Sequence, residues 1–113
     1  MSECLFCKIR DGEIPCNLIY EDDDVLAFHD VNPQAPTHVL IIPRKHIATV
    51  NDIDGDEMVM GKLFTAANVI AKQEGVNDDG YRLVVNTNQQ AGQTVFHIHM
   101  HLLAGRNMNW PPG

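Results

Sequence analysis

Polar and apolar residues alternate most strictly over residues 97–103, where His97, His99 and His101 are separated by Ile98 and Met100 and followed by Leu102 and Leu103. Successive side chains of a strand point to opposite faces, so a strand here places three imidazoles on one side. Ile98, Met100 and Leu102 then face a buried side, and neighbouring imidazoles stand roughly 7 Å apart, twice the strand rise. The most apolar run, residues 37–43, contains Val39-Leu40-Ile41-Ile42 and predicts a central strand. Residues 17–21 and 25–29 predict two strands joined by Asp22-Asp23-Asp24, an acidic triplet that reads as a solvated turn. Residues 81–86 predict a further strand.

Helical spacing appears once at length. Met60, Leu63, Phe64, Ala67, Ile70 and Ala71 recur at the period of an apolar stripe and are expected in the core. Asp54 is the expected N-cap, with Glu57 three residues later, and Gly75 closes the helix. Residues 4–9 predict a short helical turn with Leu5, Phe6 and Ile9 apolar, ended by Asp11-Gly12 and Pro15. Pro33 and Pro36 make residues 31–36 a loop. One main helix against a mostly antiparallel meander predicts a single α+β domain over residues 1–113. Its tail, about residues 104–113, is extended, and Trp110 there needs a surface to bury against.

A length of 113 residues permits one domain with a modest core. The formal net charge of −7 argues against a nucleic-acid polymer as partner, because phosphate backbones need a basic surface. A local pocket can still bind one small anion. No apolar stretch approaches a membrane span, and Met1-Ser2-Glu3-Cys4 has neither a basic nor an apolar leader region. Three cysteines, Cys4, Cys7 and Cys16, are too few for a disulfide framework, so a cytoplasmic location is expected.

The histidine run carries the candidate chemistry. A neutral imidazole is a competent nucleophile at phosphorus near neutral pH, and a neighbouring imidazole can neutralise phosphate oxygens. Gly92-Gln93-Thr94 precedes the run, so its backbone amides can converge on an anion, and the Thr94 hydroxyl donates and accepts protons. The set suits nucleotidyl or phosphoryl transfer through a phosphohistidine-type intermediate, with no metal cofactor required for catalysis. Cys4, Cys7, His46 and His97 also compose a tetrahedral zinc set, although Cys-x-x-Cys alone is a weak signal. His97 therefore belongs either to the catalytic group or to a structural zinc site.

Residues 97–103 match in full the His-φ-His-φ-His-φ-φ signature, φ being apolar, and the chain resembles the histidine triad (HIT) family. Phe28-His29-Asp30, residues 33–38, Val84-Val85-Asn86, Gly92-Gln93-Thr94 and Trp110-Pro111-Pro112-Gly113 resemble its Hint branch. The resemblance implies a HIT-like fold: a five-stranded antiparallel sheet with one main helix and a short N-terminal helix, dimerising into a ten-stranded sheet with the tail at the interface. It implies hydrolysis of purine nucleoside phosphoramidates and aminoacyl adenylates to a nucleoside monophosphate. His99 matches the nucleophile, with His101, His97, His38 and Thr94 as its catalytic partners. Asp30 matches the ribose-binding carboxylate; Phe6, Ile9, Ile14, Phe28 and Val31 match the walls around the base. Asn86, Gly92, Gln93 and Val95 match phosphate-loop positions.

Thr94 stands where many Hint proteins carry serine, and Ala91 where relatives often carry a second glycine. Cys4 and Cys7 depart from the animal Hint pattern and resemble the galactose-1-phosphate uridylyltransferases, in which Cys-x-x-Cys and two histidines hold zinc. Two other readings share these residues: a dinucleoside polyphosphate hydrolase of the Fhit-like branch, and a non-catalytic nucleotide-binding scaffold.

Overall fold

In a computed structural model of the chain, the described residues are 3–113; Met1 and Ser2, the start of the expected leader-free N-terminus, lie outside them. The elements are α1 (Leu5–Arg10), β1 (Leu18–Glu21), β2 (Val25–His29), β3 (Thr37–Pro43), α2 (Glu57–Gln73), β4 (Tyr81–Val84) and β5 (Met100–Ala104). All strand pairs are antiparallel, in the order β1-β2-β3-β5-β4. The sheet and helices thus agree with the expected fold.

Alternation sorts the strands into two covered faces. Val25, Ala27, Val39, Ile41, Met100, Leu102 and Ala104 pack with Leu63, Ala66, Ala67, Ile70 and Ala71 of α2. Leu26, Phe28, Leu40 and Ile42 point the other way and pack with Phe6 of α1. Each fully buried aliphatic side chain, Ile41, Ile70 and Leu102 among them, contributes about 1.5–3 kcal/mol. The second layer is thin, a six-residue helix and loops, and this leaves room for a cleft on that face.

Four expectations need correction. The histidine strand begins only at Met100, so His97 and His99 lie in the segment leading into it. Strand β4 ends at Val84, leaving Val85 and Asn86 outside the ladder. The N-cap of α2 is Asp56, and its carboxylate is held by Lys45 at 2.8 Å instead of capping the helix. The Glu57 carboxylate accepts from the Gly55 amide (2.8 Å). Phe64 is 59% exposed, because it sits at the margin of the stripe while Leu63 takes the core position.

The turns obey local chemistry. Asp22 Oδ1 accepts from the amides of Asp24 and Val25, both at 2.8 Å, making the acidic triplet an Asx turn. Gly75 (φ +71°) closes α2 with its amide on Lys72 and the Val76 amide on Ala71, a Schellman pair. Gly105 ends β5 at φ +94°, where a Cβ would lie 2.8 Å from Pro36 Cβ. Only glycine fits there, and the contact fixes the end of β5 against the loop entering β3. Trp110 remains 83% exposed in the tail.

Candidate active site

Strand register brings the first histidines together. Leu40 stands opposite His101 and His38 opposite Leu103, so His38 and His101 are diagonal neighbours on one face. Their rings meet with His38 Nε2 2.9 Å from His101 Nδ1. The Gln34 amide donates to His38 Nδ1 (3.0 Å), which makes that nitrogen an acceptor. In neutral His38 the proton is therefore on Nε2 and is donated to His101 Nδ1. Neutral His101 then carries its own proton on Nε2. Asp30 Oδ2 lies 3.4 Å from His38 Nε2, and Asp30 Oδ1 accepts from the Asn32 amide at 2.8 Å.

His99 is fixed from the other side. Its Nδ1 donates to the His97 carbonyl at 2.9 Å, and a carbonyl can only accept. Neutral His99 thus keeps an unprotonated Nε2. Its ring lies 5.0 Å from that of His101. Phe6 packs edge-on against it, centroids 5.1 Å apart.

The rings of Phe6, His99 and His101 line a cleft of about 380 Å³, and buried His38 does not. Phe6, Ile9, Ile14, Phe28 and Val31, the expected base walls, all line it, as do Asp30, Thr94, Val95, His99 and His101. Sequence reasoning missed Leu5, Pro15, His29 and Leu40; the alternation of β3 could have signalled Leu40, two residues from His38 on the same face. Asn86, Gly92 and Gln93 do not line the cleft. The Gln93 side chain is a staple for its loop: Oε1 accepts from the Asn88 amide (2.8 Å), and Nε2 donates to the carbonyls of Ala48 (2.8 Å) and Val95 (3.1 Å).

Burial lowers the pKa of His101 to about 4, reinforced by His99 and His38. Burial also lowers His38 and His99, against the opposing pull of Asp30. All three are thus neutral at pH 7, as the tautomers above require. An unfolded imidazole titrates at about pH 6.5, so the unfolded chain binds more protons below that pH. Stability is complete above about pH 6.5 and falls as pH drops towards about 4. The melting temperature is expected to fall between pH 7.5 and pH 5, and to fall less in His101→Gln; identical pH dependence of the two proteins would contradict the assignment.

His97 turns away from this cleft. Its Nε2 donates to the Pro43 carbonyl (2.8 Å), which leaves Nδ1 unprotonated in the neutral ring. That atom lies 3.4 Å from Cys4 Sγ, 3.5 Å from Cys7 Sγ and 3.3 Å from His46 Nδ1. Cys7 Sγ is 3.4 Å from His46 Nδ1. Tetrahedral zinc with ordinary Zn–N and Zn–S bonds has edges of about 3.3–3.8 Å. The separations and the donor chemistry therefore fit a zinc ion. Helix α1 presents the sulfurs: Cys4 is its N-cap, accepting from the Cys7 amide, so Cys-x-x-Cys spans one turn.

The chain matches the family model described as HIT domain over residues 11–108. It is 55% identical to the purine nucleoside phosphoramidase of Escherichia coli K12, covering 92% of this chain and 88% of that protein. A 14 kDa zinc-binding protein of Zea mays is 50% identical, covering 99% and 89% of the two chains. Among solved structures, a HIT family hydrolase from Legionella pneumophila superposes with a TM-score of 0.95 at 55% identity, covering 98% and 100%.

Proposed function

As the chain belongs to the HIT family, we propose that it hydrolyses purine nucleoside phosphoramidates at the phosphorus–nitrogen bond, and aminoacyl adenylates at the P–O bond of the acyl phosphate with release of the carboxylate, with His99 as the nucleophile. The observation that carries this reading is the set of proton positions. His99 offers an unprotonated Nε2 because the His97 carbonyl holds the proton on Nδ1. His101 offers an N–H beside it because His38 occupies its Nδ1.

In the first step the Nε2 lone pair bonds to phosphorus, the P–N bond breaks, and the amine departs with a proton. Water then hydrolyses the nucleotidyl-histidine, releasing a nucleoside monophosphate and regenerating Nε2. The His101 Nε2–H donates to a phosphoryl oxygen, and the Thr94 hydroxyl stands to relay a proton to the departing nitrogen. His38 positions His101, Asp30 takes the ribose hydroxyls, and the apolar walls take the purine. Of the 92–95 loop, Thr94 and Val95 border the cleft and serve the phosphate, whereas the amides of Gly92 and Gln93 bond within their own loop, to the carbonyls of Gln89 and Asn88. The reaction calls on no metal.

Comparison of kcat/KM for adenosine phosphoramidate and a diadenosine polyphosphate tests the substrate class. The phosphoramidate is expected to be favoured by more than about tenfold, a margin within what one recognised leaving group supplies. A preference for the polyphosphate would overturn the assignment, and binding of adenylate with no hydrolysis of either would leave a scaffold.

Cys4, Cys7, His46 and His97 would hold a structural zinc, which would supply rigidity by joining α1 to the loop after β3 and to the residue before Ile98. The cytoplasm would keep its thiols reduced. We infer a homodimer paired through the outer edge of β4, one of the two sheet edges that no strand covers among the described residues, with exposed Phe64 of α2 as a second contact. Pairing there would extend the sheet to ten strands. Sedimentation should show a dimer that Phe64→Lys weakens; a wild-type monomer at micromolar concentration would refute it.

A further inference from the structure

A second groove, of about 460 Å³, opens beside the cleft; Glu3, Leu5, Thr94, Val95 and Phe96 line it, and Cys4 and His46 of the Cys/His cluster border it. Leu5, Thr94 and Val95 line both spaces, so the second groove begins where the first ends. The grooves around Arg82 and Arg106 share no wall with the cleft. Thr94 is the junction, and it is exposed. Under the phosphoramidase reading, on which this inference rests, the departing nitrogen lies at Thr94.

We propose that this groove is the leaving-group subsite, taking amines with a bulky apolar substituent and disfavouring those that carry a carboxylate. Its volume lies within the range of small-molecule pockets, about 300–1,000 Å³. Leu5 and Phe96 remain 43% and 48% exposed in the free chain, presenting two apolar faces to one groove. An apolar substituent laid between them removes both surfaces from water. Glu3 is the carboxylate at this groove, and no ion pair to it occurs among the described residues. A second carboxylate brought beside it is repelled, whereas an uncharged or cationic substituent is not.

The experiment uses the full chain as isolated and three adenosine 5′-phosphoramidates, those of ammonia, phenethylamine and phenylalanine. Affinity is read by calorimetry in a His99→Ala background, where the ligands survive, and kcat/KM in the otherwise wild-type protein. Phenethylamine is expected to raise affinity over the ammonia compound by roughly tenfold, and Phe96→Ala to remove most of that gain. The phenylalanine compound should bind more weakly than the phenethylamine one, with Glu3→Gln closing the gap. Equal affinity for the ammonia and phenethylamine compounds, or a gain that survives Phe96→Ala, overturns the subsite. Failure to hydrolyse the ammonia compound overturns the phosphoramidase reading instead, and the affinities still decide the groove. Both substituted positions are exposed at the surface, so folding is not at stake.

Discussion

His99→Ala is expected to lower kcat/KM for adenosine phosphoramidate by on the order of 10⁴-fold or more, because it removes the atom that bonds to phosphorus. The fold should survive. His99 contributes one hydrogen bond, to the His97 carbonyl, and edge contact with Phe6 and His101. Adenosine monophosphate should still bind, since the apolar walls and Asp30 are untouched. The complementary experiment looks for the nucleotidyl-histidine in Thr94→Ala and His101→Ala and locates the trapped adduct by mass spectrometry. An adduct on any residue other than His99, or near-normal turnover of His99→Ala, would refute the nucleophile assignment.

The second large effect concerns Cys7→Ser. Purified protein should contain about one zinc per chain, and the variant close to none, since the site offers four ligands and zinc favours a complete tetrahedron. Cys7 is buried at 3% exposure against His46 and His97, so losing the metal also leaves a polar cavity under α1. A loss of about 2–3 kcal/mol would lower the melting temperature by roughly 8–13 °C in a domain of this size. Cys16→Ser is the control: Cys16 is exposed and lies apart from the cluster, so metal content and melting should not change. Full zinc content in Cys7→Ser would remove the proposed site.

Alternation made the two sheet faces legible, because a period of two depends only on neighbouring residues. Val39 and Ile41 fall on the helix side, Leu40 and Ile42 on the cleft side. The same rule failed at His97 and His99, where the Ile98 amide bonds to the Ile47 carbonyl (2.6 Å) and tertiary contacts replace the ladder. Local propensity cannot register that partner. The N-cap of α2 falls at Asp56, two residues after the expected Asp54, and Lys45 claims its carboxylate from eleven residues away. Thr94, Asp30 and the base walls were legible through the family resemblance, and the structure gathers them in one cleft. The role of Gln93 was not, because a glutamine facing a ligand and one stapling its own loop look alike in sequence. The sequence allows His97 to face either the cleft or the cysteines, and its orientation turns on one carbonyl, Pro43, which no sequence motif announces.

The anchors of the imidazole protons have an evolutionary consequence. The Gln34 amide, the His97 carbonyl and the Pro43 carbonyl are all main-chain atoms. No side-chain replacement at those three positions deletes the anchoring group itself, proline at position 34 excepted, which would take away the amide hydrogen. Mutation can therefore rework the surrounding walls, and with them the molecules admitted, while the arrangement of protons is inherited with the backbone. Descendants of such a chain are free to diverge in diet long before they diverge in chemistry.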